Sequence, residues 1–88
     1  MLKLVPLLLA ATVSTSVLAS AKCPKHPKAE WLPQAEAKAR IEAQGYAIRK
    51  FKVDGECYEI YGKDKHGKKV EIYFDTKTLE VVKAEVEH

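Results

Sequence analysis

From Tyr46 onward the chain alternates apolar and polar residues in four short runs, with turn-forming residues between them. A period of two marks half-buried strands, and connections this short join antiparallel neighbours. The runs are Tyr46 to Val53, Glu56 to Tyr61, Lys68 to Asp75 and Glu80 to Val86. Asp54-Gly55 is a two-residue hairpin signal. With that turn, Val53 faces Glu56, Phe51 faces Tyr58 and Lys50 faces Glu59. Phe51, Val53, Tyr58 and Ile60 then share one face, while Lys50, Lys52, Cys57 and Glu59 take the other. Gly62 to Gly67 reads as a polar turn, and Thr76 to Leu79 as the last one. In the third run Val70, Ile72 and Phe74 point inward, with Glu71 and Tyr73 outward.

Before Tyr46 the pattern is helical. Gln34 to Gln44 is rich in Ala, Glu, Lys and Arg, Pro33 suits a first turn, and Gly45 is a natural stop. Ile41 is the only bulky aliphatic in the body of this segment, so the Ala37 and Ile41 side is expected to be buried, rather than the Ala35, Ala39 and Ala43 stripe. Residues 22–30 read as an extended, solvated lead-in, because Pro24 and Pro27 disfavour regular hydrogen bonding. Trp31 is expected to anchor that lead-in against the sheet. The predicted fold class is α+β: one N-terminal helix packed on a four-stranded antiparallel β-meander, forming a single domain over residues 31–88.

The first 21 residues stand apart. Lys3 gives a positive start, Leu4 to Leu18 is mostly apolar, and Ala19-Ser20-Ala21 has the small-x-small form that signal peptidase reads. The apolar run is short for a spanning helix and is interrupted by Pro6 and several hydroxyl residues. A signal peptide over residues 1–21 and a periplasmic or secreted product, not membrane-spanning after cleavage, are expected. The whole chain carries a formal charge of +3, of which Lys3 leaves with the leader. So mild a charge gives no reason to expect a nucleic-acid partner.

A domain this small usually wants a staple. In an oxidising compartment Cys23 and Cys57 read as one disulfide, with free thiols or a redox pair as the alternative. Catalytic chemistry is thinly provided for. After Ala21 the chain has no serine, and Thr76 and Thr78 have no histidine nearby in sequence. Glu59 and Glu71 lie on adjacent strands, but hydrolysis by paired carboxyls needs them about 5–10 Å apart across a cleft, which a small meander scarcely offers. Cys23 and His26 make one Cys-x-x-His half-site, which needs further ligands to close a shell. His66 sits in a charged turn and His88 at the end of the chain, so surface histidines are the plainer reading. No cofactor is expected.

Trp31 before a helix, Gly45-Tyr46 at its exit, Cys57-Tyr58-Glu59-Ile60-Tyr61, Gly67-Lys68-Lys69-Val70-Glu71-Ile72-Tyr73 and the Asp75-Thr76-Lys77-Thr78 turn together resemble the PepSY domain, in its short stand-alone exported form. The likeness runs from Trp31 to about Val86. It implies structural roles for Trp31, Gly45, Tyr46, Tyr58, Gly67 and Asp75, and a non-enzymatic module of the kind found in propeptides of secreted metallopeptidases. Here Thr76 and Leu79 stand where the family pattern has proline and glycine, and Leu79 tolerates a left-handed conformation poorly.

The expected function is an exported, non-catalytic binding module for a protein or peptide of the cell envelope, peptidase-inhibitory or regulatory, working through its sheet face or an edge strand. Lys50, Lys52, Glu59, Tyr61, Glu71 and Tyr73 are the candidate contact surface, with Tyr61 and Tyr73 as exposed aromatics. The alternative is a metal- or redox-linked envelope accessory using Cys23, His26 and Cys57. Oligomeric state is not legible.

Overall fold

The computed structural model describes residues 21–87, so His88 and all of the expected leader except Ala21 lie outside the described residues. The described chain runs through a short 3₁₀ turn (Lys28–Glu30), helix α1 (Gln34–Ala43) and strands β1 (Ala47–Asp54), β2 (Cys57–Lys63), β3 (Lys69–Asp75) and β4 (Val81–Val86). The strands form one antiparallel sheet in the order β1-β2-β3-β4, with β1 and β4 at its edges. This is the expected helix-plus-meander architecture.

The core lies between α1 and one face of the sheet. Ala37 and Ile41 are the buried helix residues, and they join Tyr58, Ile60, Val70, Ile72, Phe74 and Leu79. The helix thus turns its Ile41 side inward, as its single bulky aliphatic dictates. Val53, expected inward, is exposed.

Three local features differ from the sequence expectation. The first hairpin is displaced by two residues: Asp54 pairs with Cys57, Val53 with Tyr58, Lys52 with Glu59 and Lys50 with Tyr61. The turn residues are therefore Gly55 and Glu56. A turn centred on Asp54-Gly55 needs positive φ at both residues, but only Gly55 has it, at 61°. Glycine first and any residue second is the other favoured hairpin turn, and it carries the chain two residues further on. A slip of two preserves the faces, so Phe51, Val53, Tyr58 and Ile60 still lie together.

Second, Gly62 belongs to β2 rather than to the turn, opposite Ile48. A side chain there would run into the Ala47 carbonyl. Third, the lead-in contains the 3₁₀ turn, closed by the Glu30 N–H on the Pro27 carbonyl. Pro27 precedes the turn and keeps its acceptor, so its missing N–H costs nothing there.

That lead-in wraps the end of the sheet. Cys23 and His26 meet Cys57 and Asp75 on the outer face. Trp31 and Leu32 then pack against the core on the helix face, the Trp31 ring meeting Tyr58 edge-on at 5.5 Å between centroids. The Trp31 indole N–H donates to the His26 carbonyl, the Leu32 N–H to the Thr76 carbonyl and the Tyr58 hydroxyl to the Leu32 carbonyl. Trp31 is thus a packing anchor. Cys23 and Cys57 are disulfide-bonded, with Cα atoms 5.5 Å apart.

Candidate functional site

The side of the sheet away from α1 holds all six candidate contact residues, in two adjacent cross-strand rows. One row runs Lys50, Tyr61, Glu71, Glu85, and the other Lys52, Glu59, Tyr73, Lys83. Alternation along each strand puts them on this face, and the register lines them up. Their accessibilities differ. Lys50, Lys52 and Tyr61 are exposed, Tyr61 at 37%. Glu71 is half-buried, whereas Glu59 is 1% and Tyr73 5% exposed. Tyr73 is therefore not the exposed aromatic that its outward register implies. Alternation assigns a face; it does not say how deeply neighbours close over a side chain.

The buried members form a polar cluster. Glu59 and Glu71 lie close enough to shift each other's titration, and the Tyr73 hydroxyl donates to Glu71 Oε2 at 2.9 Å. Burial pushes the Glu59 carboxyl above its ordinary range, and the neighbouring Glu71 pushes the same way. The neighbouring Glu59 holds Glu71 below that range. Of the two, Glu59 is therefore the one that keeps its proton to higher pH. Glu59 Oε2 is buried and makes no hydrogen bond among the described residues. The neighbouring Glu59 pushes the Tyr61 hydroxyl up to about 12. Lys52 Nζ stands 3.9 Å from Glu59 Oε1, at the limit of an ion pair.

At the end of the sheet Asp75, 4% exposed, is a second polar centre. His26 Nε2 lies 3.0 and 3.1 Å from its two carboxylate oxygens, and the Lys77 and Thr78 N–H groups donate to Oδ1. Burial pushes the Asp75 carboxyl up, but these bonds outweigh it and hold the group below its ordinary range. The family-motif aspartate thus builds the last turn and pins the lead-in at once. Of the other motif residues, Tyr58 lies in the core, Tyr46 and Trp31 flank it, and Gly45 and Gly67 adopt positive φ.

The proposed ligand set of Cys23, His26 and Cys57 does not assemble. Its two sulfurs are bonded to each other and its imidazole is turned to Asp75. Among the described residues no group of three or more His, Cys, Asp and Glu converges as a metal site. His66 is exposed in its turn.

One backbone feature on this side was not anticipated. Between Ile48 and Lys50 the β1–β2 register slips, leaving Arg49 as the extra residue of a β-bulge on the edge strand. Bulges re-aim side chains, and no sequence signal marks this one. Arg49 is exposed and makes no ion pair among the described residues. It adds to Lys50 and Lys52, and the Lys50 ammonium lies 5.8 Å from the Tyr61 ring centroid. The exposed part of the surface is therefore basic and aromatic, along β1 and the outer end of β2.

No helix among the described residues is long and apolar enough to cross a membrane. A family model described as "Peptidase propeptide and YPEB domain" matches residues 4–85. No curated protein and no solved structure matches the chain.

Proposed function

Because the chain belongs to the peptidase propeptide and YPEB domain family, we propose that it is an exported, non-catalytic binding module whose basic β1 side recognises an acidic segment of an envelope protein or peptide. Family membership makes it a peptidase-propeptide-like or regulatory module. The finer reading is carried by one observation. Arg49, Lys50 and Lys52 line an exposed edge beside Tyr61, and neither Arg49 nor Lys50 has an ion-pair partner among the described residues. Unpaired basic groups next to an aromatic ring suit carboxylates on a docking strand, where long-range attraction adds to main-chain pairing. A peptidase bound in this way would be inhibited.

The test is titration of the protein, purified from an exporting host, against a panel of envelope and secreted metallopeptidases, reading residual activity and binding together. Lys50→Glu/Lys52→Glu is expected to weaken binding at least tenfold and to flatten its dependence on salt. Binding that is unchanged by the charge reversal, or no binding across the panel, would overturn the reading.

A further inference from the structure

The opposite edge of the sheet has a different chemistry. Strand β4 leaves Val81, Val82 and Val86 exposed, at 50, 38 and 40%, and Ala84 is exposed too. Helix α1 packs against β1, on the far side of the sheet, and does not cover them. Long, exposed edges of this kind normally carry several lysines, a proline or an inward charge. β1 meets that description with Arg49, Lys50 and Lys52. β4 has one basic residue, Lys83, with Glu85 beside it, and a bulge at Val82 where the register slips opposite Tyr73 and Phe74.

The order of residues along β4 is what identifies its occupant. Val82-Lys83-Ala84-Glu85-Val86 is complementary to itself when reversed. Laid antiparallel on a second copy with Ala84 against Ala84, each Lys83 stands opposite the copy's Glu85, and each Val82 opposite its Val86. The backbone agrees with this register. The Glu87 N–H donates to the Lys69 carbonyl, so Glu85 and Lys83 also face β3 with their main-chain groups, while Ala84 and Val86 direct theirs outward. Ala84 would then form a hydrogen-bonded pair with its counterpart. Lys83 and Glu85 would form the intervening non-hydrogen-bonded pairs, in which side chains approach most closely. Within one chain Lys83 already reaches Glu85 at 3.6 Å, so both side chains lie on the face where the cross-copy pairs would form.

We propose that two copies of this protein pair through β4, antiparallel about Ala84, to make one continuous eight-stranded sheet. The contact is isologous, so it closes on itself and buries both β4 edges. It leaves the basic β1 edges at the two outer ends, where the same pairing would set like charges against one another. The dimer therefore presents two recognition edges facing away from each other, and it holds whether or not the β1 reading does.

The experiment is sedimentation velocity on the protein purified from an exporting host, across a hundredfold range of concentration, with circular dichroism confirming that each variant is folded. The wild type is expected to show a concentration-dependent dimer. Lys83→Glu and Glu85→Lys each turn two attractive pairs into repulsive ones, and each should weaken the dimer about tenfold or more. Combining the two substitutions swaps the charges and should restore it. A wild type that stays monomeric throughout would overturn the proposal. So would a dimer indifferent to the single substitutions, or one that the double substitution does not rescue.

Discussion

Glu59 and Asp75 are both buried carboxyls, yet they link stability to pH with opposite signs. Glu59 sits above its ordinary range, chiefly through burial. The folded protein therefore holds a proton there that the unfolded chain releases. Its contribution is complete below the ordinary carboxylate pKa and is lost as pH rises through the raised value. In Glu59→Gln a neutral amide replaces the carboxyl and never ionises. Thermal midpoints from pH 3 to 9 should therefore diverge, with the variant gaining on the wild type as pH rises; parallel profiles would exclude a raised Glu59. Asp75 is held below its ordinary range, so its contribution is present above about pH 4 and fades as pH falls through the lowered value. Asp75→Ala strips the acceptor from His26 and two N–H groups. It should cost roughly 1–3 kcal/mol near neutrality and less in acid, as chemical denaturation at the two pH values would show.

At the scale of elements, two turns and a strap carry most of the risk. Leu79 adopts φ 63° at the position where the family pattern has glycine, yet its side chain is 7% exposed and belongs to the core cluster. Left-handed backbone costs a residue with a Cβ about 1–2 kcal/mol, and burying a leucine returns about as much. Leu79→Gly should therefore destabilise no more than Leu79→Ala, which keeps the strain and loses the burial; urea midpoints decide between them. Gly62→Ala should cost at least about 1–3 kcal/mol, because the Ala47 carbonyl is backbone and cannot swing aside. The strap is held by a disulfide spanning 34 positions, by the His26–Asp75 pair and by Trp31. Replacing both cysteines with alanine should lower stability by roughly 3–4 kcal/mol in the loop-entropy model. Limited tryptic digestion should then cut after Lys25 sooner than in the wild type, while Trp31 and Leu32, whose core contacts do not depend on the bridge, stay in place.

For the whole molecule, the sheet is one layer covered by one helix, so its edges decide what it meets. The proposed recognition edge is basic, and like charge opposes its pairing with itself; the valine-bearing edge is complementary to itself in sequence. A two-sided module of this kind would bind two partner segments per dimer. Titration calorimetry should then give one segment per chain with the dimer intact, and the same stoichiometry in the Lys83→Glu variant, since the two edges lie on opposite sides of the sheet.

Much of this was legible in the residues. The period of two from Tyr46, the lone Ile41 in a helix of alanines and charges, and a single pair of cysteines determined the elements, the buried helix face and the bridge, because periodicity and composition act locally. Which side chain stands opposite which was decided only in the folded sheet. The hairpin register turned on whether Asp54 would accept positive φ, a choice settled by all of β1 and β2 together. The Arg49 bulge, the coupling of Glu59 to Glu71 and the His26–Asp75 pair arise from residues 12 to 49 positions apart, or from strand pairing itself. Alternation along a single strand carries no information about such distances.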